Sequence, residues 1–231
     1  VLELSSSMDI GEHPAGLIGD IYAITNADSV RMFKNDRFVA EFDRSPYETM
    51  PHGPILIDDF VGNQLVEDGA VPEYAASTVK EILLAANRYG LQTLPQEVLE
   101  QMQQCEEQFG ITETDFMALY GRYIGNWGQK VPRYRFEAIK DGKVVSVITR
   151  QPMKQVQLRL NPSHTNLTER HTYDVAAVRI EARSDSGNLL PFYQEPVQLT
   201  VTGDIALIGP SLISLKGGMG GTYVKSLGRE G

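Results

Sequence analysis

Residues 173–192, YDVAAVRIEARSDSGNLLPF, contain the feature that most restricts the fold: a strict two-residue alternation closed by a polar turn. Ala176, Val178, Ile180 and Ala182 fall on one face, and Arg179, Glu181 and Arg183 fall on the other. That is the pattern of a half-buried strand. Asp185-Ser186-Gly187-Asn188 supplies turn chemistry, because Gly and Asn accept left-handed backbone. A second alternating run follows, with Val197, Leu199 and Val201 set against Gln198, Thr200 and Thr202, and Gly203-Asp204 makes the next turn. Short alternating runs with such turns predict an antiparallel sandwich.

The same period governs the first fifty residues. VLELSSS alternates from Val1, and GDIYAITNADSVRMFKNDRFVAEF predicts two or three strands, with turns at residues 26–28 and at Asn35-Asp36. Near residue 55 the period lengthens to that of helices. Val79, Ile82, Leu83 and Ala86 form one stripe, with Pro72 suited to its first turn and Gly90 to its end. Val98, Met102, Cys105 and Phe109 form a second stripe, with Gly110 as its stop. A third helix starts at Thr112 as N-cap, with Asp115 three residues on as a relative of the capping box. Its stripe is Phe116, Leu119, Tyr120 and Tyr123.

Alternation returns after Val131. RYRFEAIKDGKVVSVITRQ carries a hairpin signal at Asp141-Gly142. KQVQLRL follows, and Asn161-Pro162-Ser163 breaks the chain. The fold read from these patterns is mainly β with an α-helical insertion, built as two immunoglobulin-like antiparallel β-sandwiches. The first spans residues 1–160 and is interrupted by the insertion at about 55–130. The second spans residues 161–231 and is truncated at its C-terminal end. Residues 1–54 must then pair with 131–160, leaving the helices as a separately packed addition.

With 231 residues, 42% hydrophobic and 22% charged, the chain has the composition of one large or two small globular domains. No apolar run approaches the ~20 residues of a membrane span. The net charge of −9 argues against nucleic acid and anionic lipid as partners, since phosphate binding needs clustered Lys and Arg. Most of that charge lies between residues 58 and 130, where twelve Asp and Glu face four Lys and Arg. Cys105 is alone, so no internal disulfide is expected, which fits a reducing, cytoplasmic compartment. The opening on Val1 and the close on SLGREG read as the ends of an excerpt from a longer protein.

Candidate chemistry is sparse. His13, His52, His164 and His171 include no i, i+4 pair beside a carboxylate, so no zinc site is expected. GGMGG, residues 217–221, precedes strand-like TYVKS rather than a helix, and reads as a turn rather than a phosphate loop. Asp58-Asp59 diverge as neighbours and suit a helix N-terminus better than catalysis. Cys105 reads as a buried thiol on an apolar helix face. Asn166-Leu167-Thr168 matches a glycosylation triplet of a kind that arises by chance. LYGRYIGNW, residues 119–127, groups Tyr120, Tyr123 and Trp127 with nearby glycines. These three are the candidates for substrate or partner contact, because aromatic faces stack on sugars and on proteins. The competing reading has them packing the insertion onto a sandwich. No catalytic, cofactor-binding or metal-binding residue is assigned, and no cofactor is expected.

Several stretches together resemble the region behind the catalytic barrel in glycoside hydrolase family 2, the β-galactosidase family. VLELSSSMD resembles the strand leaving the barrel. Asn26, Val30, Met32, Phe33 and Asn35 fit an Asn-x-x-x-Val-x-Leu-Phe-x-Asn theme. AIKDGKVV and VQLRLNPS resemble the end of that domain. Asp174, Asp185, Gly187, Gly203 and Gly209 sit where the following domain's pattern places them. The resemblance implies accessory sandwiches of an enzyme that hydrolyses terminal β-linked galactose or a related sugar, bracing the barrel, shaping the cleft rim or forming subunit contacts. The implied partners are the catalytic barrel of the same polypeptide, the carbohydrate substrate and further copies in a homo-oligomer. The family's two catalytic glutamates belong to the barrel, and no residue here matches their motifs. Residues 55–130 depart from the family pattern. Two alternatives stay open: a tandem immunoglobulin-like carbohydrate-binding protein, and an interaction module using the acidic helices.

Overall fold

The computed structural model describes residues 1–8, 10–12, 18–44, 49–126 and 131–229. The chain divides into two units, Val1–Asp9 with Pro14–Gln151 and Ile10–His13 with Pro152–Gly231.

The first unit runs β1 (Leu2–Leu4), β2 (Ile21–Thr25), β3 (Ser29–Lys34), β4 (Arg37–Asp43), β5 (Ile55–Ile57), α1 (Gln64–Glu67), α2 (Glu73–Tyr89), α3 (Gln96–Phe109), α4 (Glu113–Tyr123), β6 (Tyr134–Lys140) and β7 (Lys143–Arg150). The strands form two antiparallel sheets, ordered β1-β2-β5 and β4-β3-β6-β7. Alternation does what a two-residue period requires: β2 buries Ile21, Ala23 and Thr25 and exposes Tyr22 and Ile24. Both two-residue hairpin loops have left-handed backbone at both positions, Asn35 (φ 51°) and Asp36 (φ 65°), then Asp141 (φ 51°) and Gly142 (φ 73°). This is the geometry whose twist matches the flanking strands.

The helical insertion leaves after β5 and returns at β6. It is not separately packed, contrary to the expectation from sequence. Val79, Ile82, Leu83 and Phe116 belong to the same core as Val30, Met32, Phe136 and Ala138. An amphipathic stripe has to be buried against something, and the sandwich offers the nearest apolar surface. Asp59, one of the paired acids, holds the turn before α1. It accepts the Val61 and Gly62 N–H groups at 2.9 and 2.7 Å and ion-pairs with Lys80 of α2 at 2.9 Å. At the start of α4 a full capping box forms, with the Asp115 N–H donating to Thr112 Oγ1 and the Thr112 N–H donating to Asp115 Oδ2 at 2.8 Å. Cys105 is buried, and burial raises its thiol pKa.

The second unit runs β8 (Val156–Pro162), β9 (Val175–Ser184), β10 (Pro196–Gln198), β11 (Ile205–Ile208), β12 (Leu212–Ser214) and β13 (Met219–Ser226). A four-stranded sheet, β11-β13-β9-β8, accompanies a two-stranded one, β10-β12. Ile180 and Ala182 of β9 share a core with Ile10, Leu190, Val197 and Leu215. The division between units falls at Gln151 and Pro152, not at residue 160. β8 pairs with β9 from Val156↔Ser184 to Pro162↔Val178 and so belongs to the second sheet. Asn161-Pro162 ends an edge strand, where proline's missing N–H costs no ladder bond. In the GGMGG stretch the turn comes first and β13 begins at Met219. A Cβ on Gly218 (φ 73°) would lie 2.3 Å from the Leu190 carbonyl oxygen, so backbone packing requires glycine there.

Lys34 closes β3 and is almost fully buried. Its Nζ donates to the Tyr123 carbonyl at the end of α4 at 2.6 Å, and burial lowers its pKa to about 8. Near neutral pH the amine is charged in both folded and unfolded chains, so the full cost of burying the charge is present. It is relieved as pH rises from the folded pKa towards the unfolded one. Relative to Lys34→Met, the wild-type chain should therefore gain about 2 kcal/mol of stability between pH 8 and pH 10. Urea titrations read through the helical circular dichroism signal would measure this; parallel pH profiles for the two chains would contradict it. A separate expectation follows from the capping box: Thr112→Ala should cost about 1 kcal/mol in the same titration.

Candidate functional site

The aromatic end of the insertion is where three elements converge: the C-terminal end of α4, the β3–β4 hairpin and the segment just after α1. Its centre is Asp68. The Tyr123 hydroxyl donates to Asp68 Oδ2 at 3.0 Å, and Arg122 reaches the same oxygen at 3.1 Å. Arg37 bridges Asp68 Oδ1 at 2.9 Å and Glu67 Oε2 at 2.7 Å. Burial pushes the Asp68 carboxyl up, but the bonds from Tyr123 and Arg37, with the charges of Arg37 and Arg122, outweigh it and hold the group below the usual carboxylate range. Tyr123 responds in the opposite sense. Burial, then the hydrogen bond to Asp68, pushes its hydroxyl up to about 12.

This arrangement fixes how the three aromatic candidates are placed. Tyr123 is 2% exposed and Tyr120 7% exposed, so both face the unit's own core rather than solvent. Arg122 lies 5.1 Å from the centre of the Tyr123 ring. Trp127 lies outside the described residues. Tyr120 and Tyr123 both pack with Phe116 in the first unit's core. The reason is helical geometry: Phe116, Tyr120 and Tyr123 fall on the α4 face that meets the core. Sequence reasoning missed Lys34, Arg37 and Asp68. Lys34 and Arg37 flank the Asn35-Asp36 turn, where solvated charges are ordinary, and only the folded chain brings them to α4 and α1.

The second unit holds a polar cleft of 870 Å3 whose lining includes Glu169, Asp204, Ser226 and Arg229. Glu169 accepts from the Ser226 hydroxyl and from the Gly228 N–H. Nearby, Ser163 Oγ lies 3.0 Å from His164 Nδ1, and His164 Nε2 lies 3.7 Å from Asp174 Oδ2. The set superficially matches a nucleophile–base–acid relay. However, Ser163 Oγ accepts the Ala177 N–H, and Asp174 accepts those of Thr168 and Val175. These groups join loop to strand, and the Asp–His distance exceeds a hydrogen bond. Asp174 is held below the usual carboxylate range, first by those two backbone donors. Among the described residues, no group of three or more His, Cys, Asp or Glu could hold a metal ion.

No family model matches the chain. It is 31% identical to a β-galactosidase of Rhizobium radiobacter over 111 residues, covering 45% of this chain and 75% of that protein. It is also 31% identical to a β-galactosidase of Rhizobium meliloti over 105 residues, covering 42% of this chain but only 13% of that protein. In fold it is similar to a β-glycosidase from Bacteroides vulgatus, with a TM-score of 0.52 and 12% identity over 97% of this chain and 21% of that one. With a relative of this identity covered over three quarters of its length, the chain belongs to the β-galactosidase family.

Proposed function

We propose that this chain is a non-catalytic part of an enzyme that hydrolyses terminal β-linked sugars, and that its sandwiches brace the catalytic barrel of the same polypeptide. One observation carries the reading: the match to the Rhizobium meliloti β-galactosidase takes up 13% of that protein. A retaining glycosidase needs two carboxyl groups about 5 Å apart, one as nucleophile and one as acid/base. The acids prominent here are engaged otherwise. Asp68 and Asp59 hold turns and ion pairs, and Glu181 lies 2.8 Å from Arg183, whose hydrogen bond holds it below the usual carboxylate range despite burial. The sandwiches supply apolar cores and regular hairpins, which are what a rigid brace requires.

The isolated chain should show no turnover of a chromogenic β-galactoside, and the barrel-containing polypeptide from which it comes should lose thermal stability when the chain is deleted. Turnover that persists through purification to homogeneity, or a deletion without thermal effect, would count against the reading. Contact with the cleft or with a neighbouring subunit is proposed for Trp127. In the full enzyme, Trp127→Ala should raise KM or shift the oligomer while leaving Tm nearly unchanged. Tyr123→Phe, which removes the bond to Asp68, should instead cost about 1 kcal/mol of stability with normal kinetics. The opposite assignment of effects would return Trp127 to a packing role.

A further inference from the structure

α3 and α4 both pack on α2 and leave an apolar seam. Sequence periodicity gives α3 a stripe of Val98, Met102, Cys105 and Phe109, yet Cys105 is the helix's buried residue. Leu99 is 46% exposed, and Met117 of α4 is 39% exposed. Between them lies a cleft of 260 Å3, floored by Leu83 and Ala86 of α2 and walled by Leu99, Met102, Phe116 and Met117. Glu106 and Glu113 stand at its border. α3 carries Glu97, Glu100, Glu106 and Glu107 and no Lys or Arg. The cleft is thus an apolar slot in the most acidic stretch of the chain.

We propose that this cleft docks a basic amphipathic partner segment, which inserts one bulky apolar side chain and sets Lys or Arg against Glu106 and Glu113. The volume argues for a single anchor, since it falls below the roughly 300–1,000 Å3 of pockets that enclose a whole small ligand. The charge argues for a basic partner. A one-sign border around an apolar slot attracts the opposite charge, and rejects an acidic segment of equal apolarity. Anchoring by an apolar face in a helix-lined groove is an established mode of peptide recognition. The inference does not rest on the glycosidase reading, because it uses only the slot and its charge.

The test uses the full chain and a short labelled helical peptide of leucine and lysine, with a twin in which glutamate replaces lysine, read by fluorescence anisotropy. The basic peptide should bind and the acidic twin should not. Glu106→Lys with Glu113→Lys should weaken binding about ten-fold or more, whereas Asp43→Lys with Glu73→Lys, an equal change of net charge at exposed positions that do not line the cleft, should change it less than about two-fold. Met117→Ser, at a half-exposed position the fold tolerates, should weaken it about five-fold or more, with the helical circular dichroism signal checked for each variant. Equal binding of both peptides, equal effects of the two double variants, or indifference to Met117→Ser would overturn the proposal. So would self-association of the chain that Met117→Ser abolishes, since the occupant would then be a second copy.

Discussion

The antiparallel pairing of β3 with β6 is the constraint on which the first unit depends. Asn35 and Arg133, 98 positions apart, clasp each other through two hydrogen bonds: the Asn35 N–H to the Arg133 carbonyl at 2.8 Å, and the Arg133 N–H to Asn35 Oδ1 at 2.9 Å. Closing a chain segment of this length costs about 4 kcal/mol beyond the cost common to all loops. Val30, Met32 and Phe136, all fully buried beside the clasp, contribute about 1.5–3 kcal/mol each. The pairing is therefore favourable because the sandwich core forms with it. Asn35 also serves the hairpin by accepting left-handed backbone, so a single residue ends β3 and receives the returning chain.

The helices are held to that frame by charges whose positions differ in cost. Lys34 is a buried amine that, among the described residues, donates to one carbonyl and faces the Tyr134 ring at 6.0 Å, and its burial opposes folding near neutral pH. Asp68 is the better satisfied group, with a phenol and two guanidinium groups converging on it. Together they fix the end of α4 against the β3–β4 hairpin from two directions. Phe116, Tyr120 and Tyr123 of α4 are consequently buried in the first unit's core. An exposed platform for sugar would require the opposite orientation of Tyr120 and Tyr123.

The two units divide the work differently. The first concentrates helices, acidic charge and an open apolar slot on a closed sandwich. The second has a smaller core and ties its loops down with polar side chains, as in the Asp174, Ser226 and Glu169 network.

Much of the local structure could be read from the sequence, because its determinants lie within a few residues of one another. Asp141-Gly142 and Asn35-Asp36 specify their turns by backbone preference, and Thr112 with Asp115 forms a capping box across three positions. The alternation in β9 places Ala176, Ile180 and Ala182 inward as found. What required the tertiary structure depends on which distant surface meets which. Pro162 looked like a boundary because proline breaks strands, but β8 had β9 to pair with, and that partner is not encoded near residue 162. The aromatic cluster was visible, yet whether Tyr123 faces a partner or its own core is decided by Asp68, 55 positions away. Lys34 looks solvent-facing in a polar turn and becomes buried only because α4 ends above it. Periodicity assigns each residue to a face of its own element; long-range packing decides what that face meets.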